Sequence, residues 1–295
     1  MRSKARAPGY GQGVVALDTR GWLDPDSVPS MVTQIFEAAA YRPPPLPAVA
    51  LEVDRLSRRS DIGIDDVTRV LARDPMLAAD TLRVASSAAY SRGQAPRTLE
   101  EACVRLGVKG LRNIVWQVGL RGVFRVRGYS AVMERLQSHS VSVARLTREV
   151  AMHTSVAADN AFLFALLHDV GLVAALHAIR DAHTGDLPPY AELHGGLSAL
   201  HASLGGTVSR LWNLPGEMVW LIENHSWPRV DGFIHPLLAC LSVAHHYSAL
   251  QGESIRLSNQ VSEHEQESLA ISVEALGLSR SDLLDIESRC APLNG

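Results

Sequence analysis

His168 and Asp169 sit inside the longest apolar stretch of the chain, AFLFALLHDVGLVAALHAI, residues 161–179. A carboxylate in such surroundings is costly unless it is paired, hydrogen-bonded or bound to a metal. Two readings fit. Asp169 and Gly171 can be a polar break between two buried helices, or the pair can belong to a site. Four further histidines fall on apolar stripes of helical spacing. They are His139 with Val143, Leu146 and Val150; His201 with Leu197, Leu200, Leu204, Val208 and Leu211; His225 with Met218, Leu221 and Ile222; and His245 with Leu238 and Leu241. Each alone reads as a hydrogen-bonded core histidine. Helices packed around one axis would turn them toward a common centre, where helical bundles commonly house metals. The candidate set is His139, His168, Asp169, His201, His225 and His245. Five imidazoles and one carboxylate suit a single Zn, Fe or Ni ion and suit Mg or a bridged pair poorly. His153, His177, His183, His194, His235 and His264 show no comparable placement.

The elements that must position this set read as helices. Of 295 residues 46% are apolar and only 5% aromatic, enough for a large core of closely packed helices. Bounded β-branched runs are scarce, so the expected fold class is all-α, without a sheet. The spacing predicts a short helix over Val32–Ala40, stopped by Pro43-Pro44-Pro45. Helices follow in LPAVALEVDRLSRR and IDDVTRVLARD, with a start at Asp74-Pro75 and an end over residues 88–93. Thr98 with Glu101 predicts a capping box, and that helix should end at Leu106-Gly107.

A basic stretch lies beyond. From Cys103 to Met133 there is no Asp or Glu, while Arg105, Lys109, Arg112, Arg121, Arg125 and Arg127 are present. It reads either as a solvated face covering core with aliphatic stems or as a patch for an acidic partner. All twelve histidines lie at or after His139, so the composition changes near Gly128. The expected organisation is an extension over 1–43, loose where Gly, Pro and charge dominate; a helical lobe over 44–128; and a second lobe over 129–295, closed by a helix around 266–288.

The net charge of −3 provides no global field for nucleic acid or membrane. Three distant cysteines without a CxxC fit free thiols in a reducing compartment. MRSKARAPGYGQG lacks the apolar segment of a secretory signal, and no uninterrupted apolar run is long enough to span a bilayer, so cytoplasm is the expected location.

The ordered series resembles the HD superfamily of metal-dependent phosphohydrolases, and residues 44–285 resemble its HDOD branch. The resemblance rests on PPPLPAVALEVDRL, LARDPMLAADTLRVASSAAY, TLEEACVRLGVKGLRNIV, LLHDVG, HASLGGTVSRLWNLPGEMVWLIENH and EALGLSRSDLLDIE. It implies an all-helical two-lobe domain of bacterial signalling proteins, with an HD-like C-terminal lobe and with receiver or cyclic-dinucleotide-turnover proteins as partners. Ser86-Ser87-Ala88 stands where the branch usually has Asn-Ser-Ala. The related HD-GYP phosphodiesterases carry Lys where this chain has Leu172, His-His-Glu where it has Asn224-His225-Ser226, and Ala-Asp where it has Ala244-His245. The site is therefore degenerate, and the expected function is a non-enzymatic regulatory module working through protein–protein contacts. No cofactor is needed for that role, and any resident metal would be one Zn, Fe or Ni ion. The alternative is a metal-dependent phosphohydrolase acting on a nucleotide or cyclic dinucleotide.

Overall fold

The structure is a computed structural model that describes residues 25–87, 94–183, 186–253, 255 and 262–290. Residues 1–24, whose start the sequence suggested to be loose, and residues 88–93, where it placed a helix end, lie outside the described residues; the helix that begins at Asp74-Pro75 ends earlier, at Ala85. The fold is all-α, with one small hairpin among the described residues.

Helix α1 (Val28–Glu37) opens the described chain. Val28, Met31, Val32, Ile35 and Phe36 recur at helical spacing and are buried. The helix starts four residues earlier than the sequence suggested. Part of the expected extension is thus built into the core.

Next come α2 (Ala48–Ser57), α3 (Ile64–Leu71), α4 (Pro75–Ala85) and α5 (Leu99–Gly119). α2, α3 and α4 each pack against α5. The caps behave as the sequence requires. Asp74 accepts from the Leu77 amide at 3.0 Å. Thr98 accepts from the Glu101 amide at 3.1 Å, while Glu101 reaches back to the Arg97 amide at 2.7 Å rather than to Thr98. Gly107 breaks α5 with φ +70° and ψ 168°, a conformation open to glycine. Arg105 and Lys109 stand on opposite sides of that break, so the basic residues share no continuous face.

Helices α6 (Ser130–Met152), α7 (Ala158–Leu167), α8 (Val170–Ala182), α9 (Tyr190–Leu211), α10 (Gly216–Glu223) and α11 (Pro236–Leu250) form the rest of the bundle. α1 packs on α8 and α9, α6 on α7 and α11, and α9 on α8 and α10. The span Ala158–Ala182 is apolar and long enough to cross a membrane, but 94% of its most apolar window is buried inside the protein. Between α10 and α11, β1 (Arg229–Val230) pairs antiparallel with β2 (Phe233–Ile234). Asp231 and Gly232 both have positive φ, 49° and 83°, as a two-residue Asp-Gly hairpin turn demands.

The C-terminal segment is two helices rather than one. α12 (Glu263–Leu276) packs on α11, Gly277 ends it at φ +65°, and α13 (Arg280–Cys290) turns back onto α6. Buried apolar residues from Val28 to Ile286 make one continuous core.

Candidate metal centre

The chain leaves α7 at Leu167 and re-enters helix at Val170, so His168 and Asp169 form the turn between two buried helices. Asp169 stands at the N-cap of α8, yet its side chain makes no cap bond there. The carboxylate faces inward instead, 4% exposed. α6 brings His139, α9 brings His201, the residues just after α10 bring His225, and α11 brings His245. Gly171 lets α9 come close. A Cβ at that position would lie 2.0 Å from the His201 carbonyl oxygen and 2.5 Å from the Gly205 amide.

All six candidates are therefore brought together. Asp169 Oδ2 lies 3.0 Å from His168 Nε2 and 3.6 Å from His139 Nε2. Its Oδ1 lies 3.7 Å from both His201 Nε2 and His225 Nε2. The rings also meet one another, His201 Nε2 to His225 Nε2 at 2.9 Å and His245 Nε2 to His168 Nε2 at 3.1 Å. The ligand atoms fall into two triads, His139/His168/His245 and Asp169/His201/His225, each within 4.8 Å.

Four of the rings are held from behind. The Nδ1 of His139 meets the Glu253 carbonyl at 2.7 Å, that of His168 the Ala165 carbonyl at 2.6 Å, that of His201 the Ser198 carbonyl at 2.6 Å, and that of His225 the Ile222 carbonyl at 2.7 Å. A carbonyl can only accept, so each Nδ1 carries the hydrogen and each neutral ring turns its Nε2 lone pair inward. This backing is what metal-ligating histidines use. Lone pairs about 3 Å apart repel unless a proton or a metal ion lies among them. Two ligand nitrogens at right angles about an ion 2.0–2.1 Å away would be about 3 Å apart, which matches both ring–ring contacts. The residues fit a bound metal.

Without a metal, protons must supply the positive charge. Burial alone would raise Asp169, but the adjacent His168 charge and hydrogen bond, with His225 and His201, hold it well below the usual carboxylate range. Burial pulls His168 down, and Asp169 more than compensates, raising it. Burial lowers His201, and together with His168 and His139 it sets His245 well below the usual imidazole value.

A cavity of about 320 Å³ opens onto the cluster. Leu172, His194, Ser198, Ser226 and Ile255 complete its wall. Among the described residues, no Lys, no Arg and no carboxylate other than Asp169 lines it. Sequence reasoning passed over His194, which stands two turns before His201 on α9 and whose Nδ1 meets the Tyr190 hydroxyl at 3.2 Å. The seven-residue interval was the available signal. Leu211, assigned to the apolar stripe of His201, is 46% exposed instead, because α9 ends there.

The basic set separates. Arg105, Lys109, Arg125 and Arg127 are exposed, and Arg121 is half-buried, 3.5 Å from Asp80. Arg112 is no surface cation: it is 5% exposed and donates to the Asp159 carbonyl at 2.8 Å and to Asn113 Oδ1 at 3.1 Å. Asn113 in turn donates to Asp159 Oδ1 at 3.1 Å. Beyond the break at Gly107, α5 runs against the start of α7, and that contact buries the guanidinium.

Comparison with known proteins bears on the family and the fold. The HDOD domain profile matches residues 44–228. An uncharacterised protein of Treponema pallidum (strain Nichols) is 24% identical over 211 residues, 68% of this chain but only 41% of that protein. Among solved structures, a protein of Shewanella amazonensis SB2B provisionally named a metal-dependent phosphohydrolase superimposes with a TM-score of 0.72 at 20% identity, over 91% of this chain and 98% of its own. An HDOD domain protein of unknown function from Geobacter sulfurreducens gives 0.63 at 18% identity, over 91% and 98%. A protein of Marinobacter aquaeolei VT8 provisionally named for signal transduction gives 0.59 at 18%, over 90% of this chain and 64% of its own. At these identities the superpositions speak for the fold.

Proposed function

The chain belongs to the HDOD family, and from that premise we propose that it is a non-enzymatic signalling module whose five histidines and Asp169 hold one transition-metal ion as a structural or sensory centre. The observation that carries the reading is the make-up of the cavity: Asp169 is its one carboxylate, and no Lys or Arg faces it among the described residues. Phosphoryl transfer needs groups that neutralise charge spread over the phosphoryl oxygens. Leu172 occupies the wall where a cation would serve that purpose. Two divalent ions beside a single buried carboxylate would leave a large uncompensated charge in a desolvated site. One ion on imidazoles is the smaller burden, and nitrogen donors favour Zn, Fe or Ni over Mg. When bound by one triad, such an ion would tie the α7–α8 turn either to α6 and α11 or to α9 and the residues after α10.

The partners we propose are signalling proteins, receiver or cyclic-dinucleotide-turnover proteins among them, docking on the exposed Arg105, Lys109, Arg125 and Arg127 with Arg121 beside them. No membrane or nucleic acid enters this reading. Cytoplasm is the proposed location, which suits the buried free thiols Cys103 and Cys240.

One observation favours a second reading. The two oxygens of Asp169 face different triads, an arrangement that could bridge two ions of a phosphohydrolase. One experiment separates the readings. Untagged protein is assayed for metal, then incubated with Mn, Fe, Ni or Zn and a panel of cyclic dinucleotides and nucleoside phosphates. The regulatory reading expects about one equivalent of metal that is lost in Asp169→Ala and no turnover, while His168→Ala and Asp169→Ala lower stability by about 1–3 kcal/mol. Turnover abolished by Asp169→Ala in a folded protein would make this an enzyme.

A further inference from the structure

A second group of ligand-type side chains lies at the far end of α6, where α13 returns to the bundle. Glu149 and His153 are four residues apart near the end of α6 and so share a face. Asp282 and Asp285 are three apart on α13 and face them. His153 Nδ1 lies 3.3 Å from Asp282 Oδ1. The other oxygen of Asp282 is already engaged, accepting from the Ser279 amide at 2.8 Å and the Ser279 hydroxyl at 2.6 Å at the start of α13. Asp282 is thereby fixed and acts as the orienting carboxylate behind the ring. Nδ1 donates to it, and Nε2 turns toward Asp285 Oδ2, 3.4 Å away. Glu149 closes the triad, its ligand oxygen within 4.8 Å of the other two ligand atoms. Glu149 Oε1 is shut off from solvent.

We propose that Glu149, His153 and Asp285 form a second, independent divalent-metal site that clips helix α13 to helix α6, with Zn²⁺ as the ion its donors suit. One imidazole and two carboxylates are ordinary zinc ligands, and the ring held from behind by a carboxylate is the arrangement that fixes a ligating histidine. Two ligand atoms at a tetrahedral angle about an ion roughly 2.05 Å away lie about 3.3 Å apart, close to the Nε2–Oδ2 separation seen here. The site is remote from the six-residue cluster. His153 follows His139 by fourteen residues of one helix, roughly 21 Å at 1.5 Å per residue. Its role is mechanical, setting whether α13 stays docked.

The test is equilibrium dialysis of the full chain against Zn²⁺, with amide exchange of α13 followed in parallel. The expected result is that wild type binds one equivalent more than the Glu149→Gln/Asp285→Asn double variant. Asp169→Asn, which disturbs only the other cluster, keeps that equivalent. Zn²⁺ slows exchange in α13 by at least tenfold in wild type and in Asp169→Asn but not in the double variant. His153→Gln, which retains a donor toward Asp282, loses the same equivalent and stands in if the double variant does not fold. Equal zinc stoichiometry in wild type and these variants would overturn the site. So would α13 protection indifferent to zinc, which would show that a proton alone bridges His153 to the carboxylates.

Discussion

Gly171→Ala is the sharpest test of how the six-residue cluster is assembled, because it sets helix propensity against packing. In a helix interior, Gly→Ala gains up to about 1 kcal/mol. At position 171 the added Cβ would sit 2.0 Å from the His201 carbonyl oxygen and 2.5 Å from the Gly205 amide, whereas ordinary contact begins near 3.4 Å. Both atoms are backbone of α9, so no side chain can swing aside. The helices must part by roughly 1.4 Å at that point, and overpacking of this kind costs about 1–3 kcal/mol, occasionally more. The clash outweighs the propensity gain, and Gly171→Ala should lose about 2 kcal/mol, a fall of roughly 4 °C in Tm for a chain of this size. Gly195→Ala is the control. It lies on α9 with nothing within 4 Å of the new Cβ, and should gain about 0.5–1 kcal/mol. The atom that Gly171→Ala strikes belongs to His201 itself. A shift beyond 1 Å far exceeds the roughly 0.2 Å tolerance of a metal–ligand distance, so Co²⁺ or Zn²⁺ affinity should fall at least tenfold alongside stability. Urea unfolding and metal titration of both variants measure this. A Gly171→Ala protein as stable as Gly195→Ala, with metal affinity intact, would refute the close approach and the geometry built on it.

Two further outcomes follow from the buried charges. In EDTA, stability should fall as pH drops from 7.5 to 5. The folded-state values of His177, His201 and His245 are lowered, chiefly by burial, so the unfolded chain takes up more protons near the ordinary imidazole value of about 6.5. His168, raised above that value, opposes the trend, contributing stability at low pH that is lost as pH rises through its folded value. Urea midpoints at the two pH values decide, and a higher midpoint at pH 5 would contradict the assignment. Arg112→Met should cost about 3 kcal/mol, because it strands the Asp159 carbonyl and Asn113 and removes the buried cation 3.9 Å from the Asp54 carboxylate. Charge reversal at the exposed Arg125 should change Tm little while weakening a signalling partner, since exposed charges contribute little to folding, whereas at the half-buried Arg121 it sets a carboxylate against Asp80 and should lower Tm. Thermal melts and pull-down of receiver-type proteins compare the two.

The residues that announced themselves in the sequence are those whose meaning is local or periodic. Asp74-Pro75 and Thr98 mark helix starts within three residues, and the four histidine stripes show at intervals of three and four which rings face inward. What stayed hidden depends on distant partners. Arg112 looked like a surface cation because Asp159, which buries it, lies 47 residues away. His153 had no visible purpose until α13 brought Asp282 and Asp285 to it from some 130 residues away. The Asp-Gly hairpin was a local signal that was missed, since two-residue strands give no alternation to detect.

The region that matches the family profile, 44–228, is shorter than the unit that folds. α1 lies before it, covering part of α8 and α9, and α11 with His245 lies after it. A chain trimmed to the shared region would bare an apolar face and lose one of the six cluster residues at once. Natural rearrangements that move this domain between proteins must therefore carry its flanking helices along, or replace them from the new neighbour. The borders at which such a domain can be exchanged are set by what covers its core, and they lie outside the stretch by which relatives are recognised.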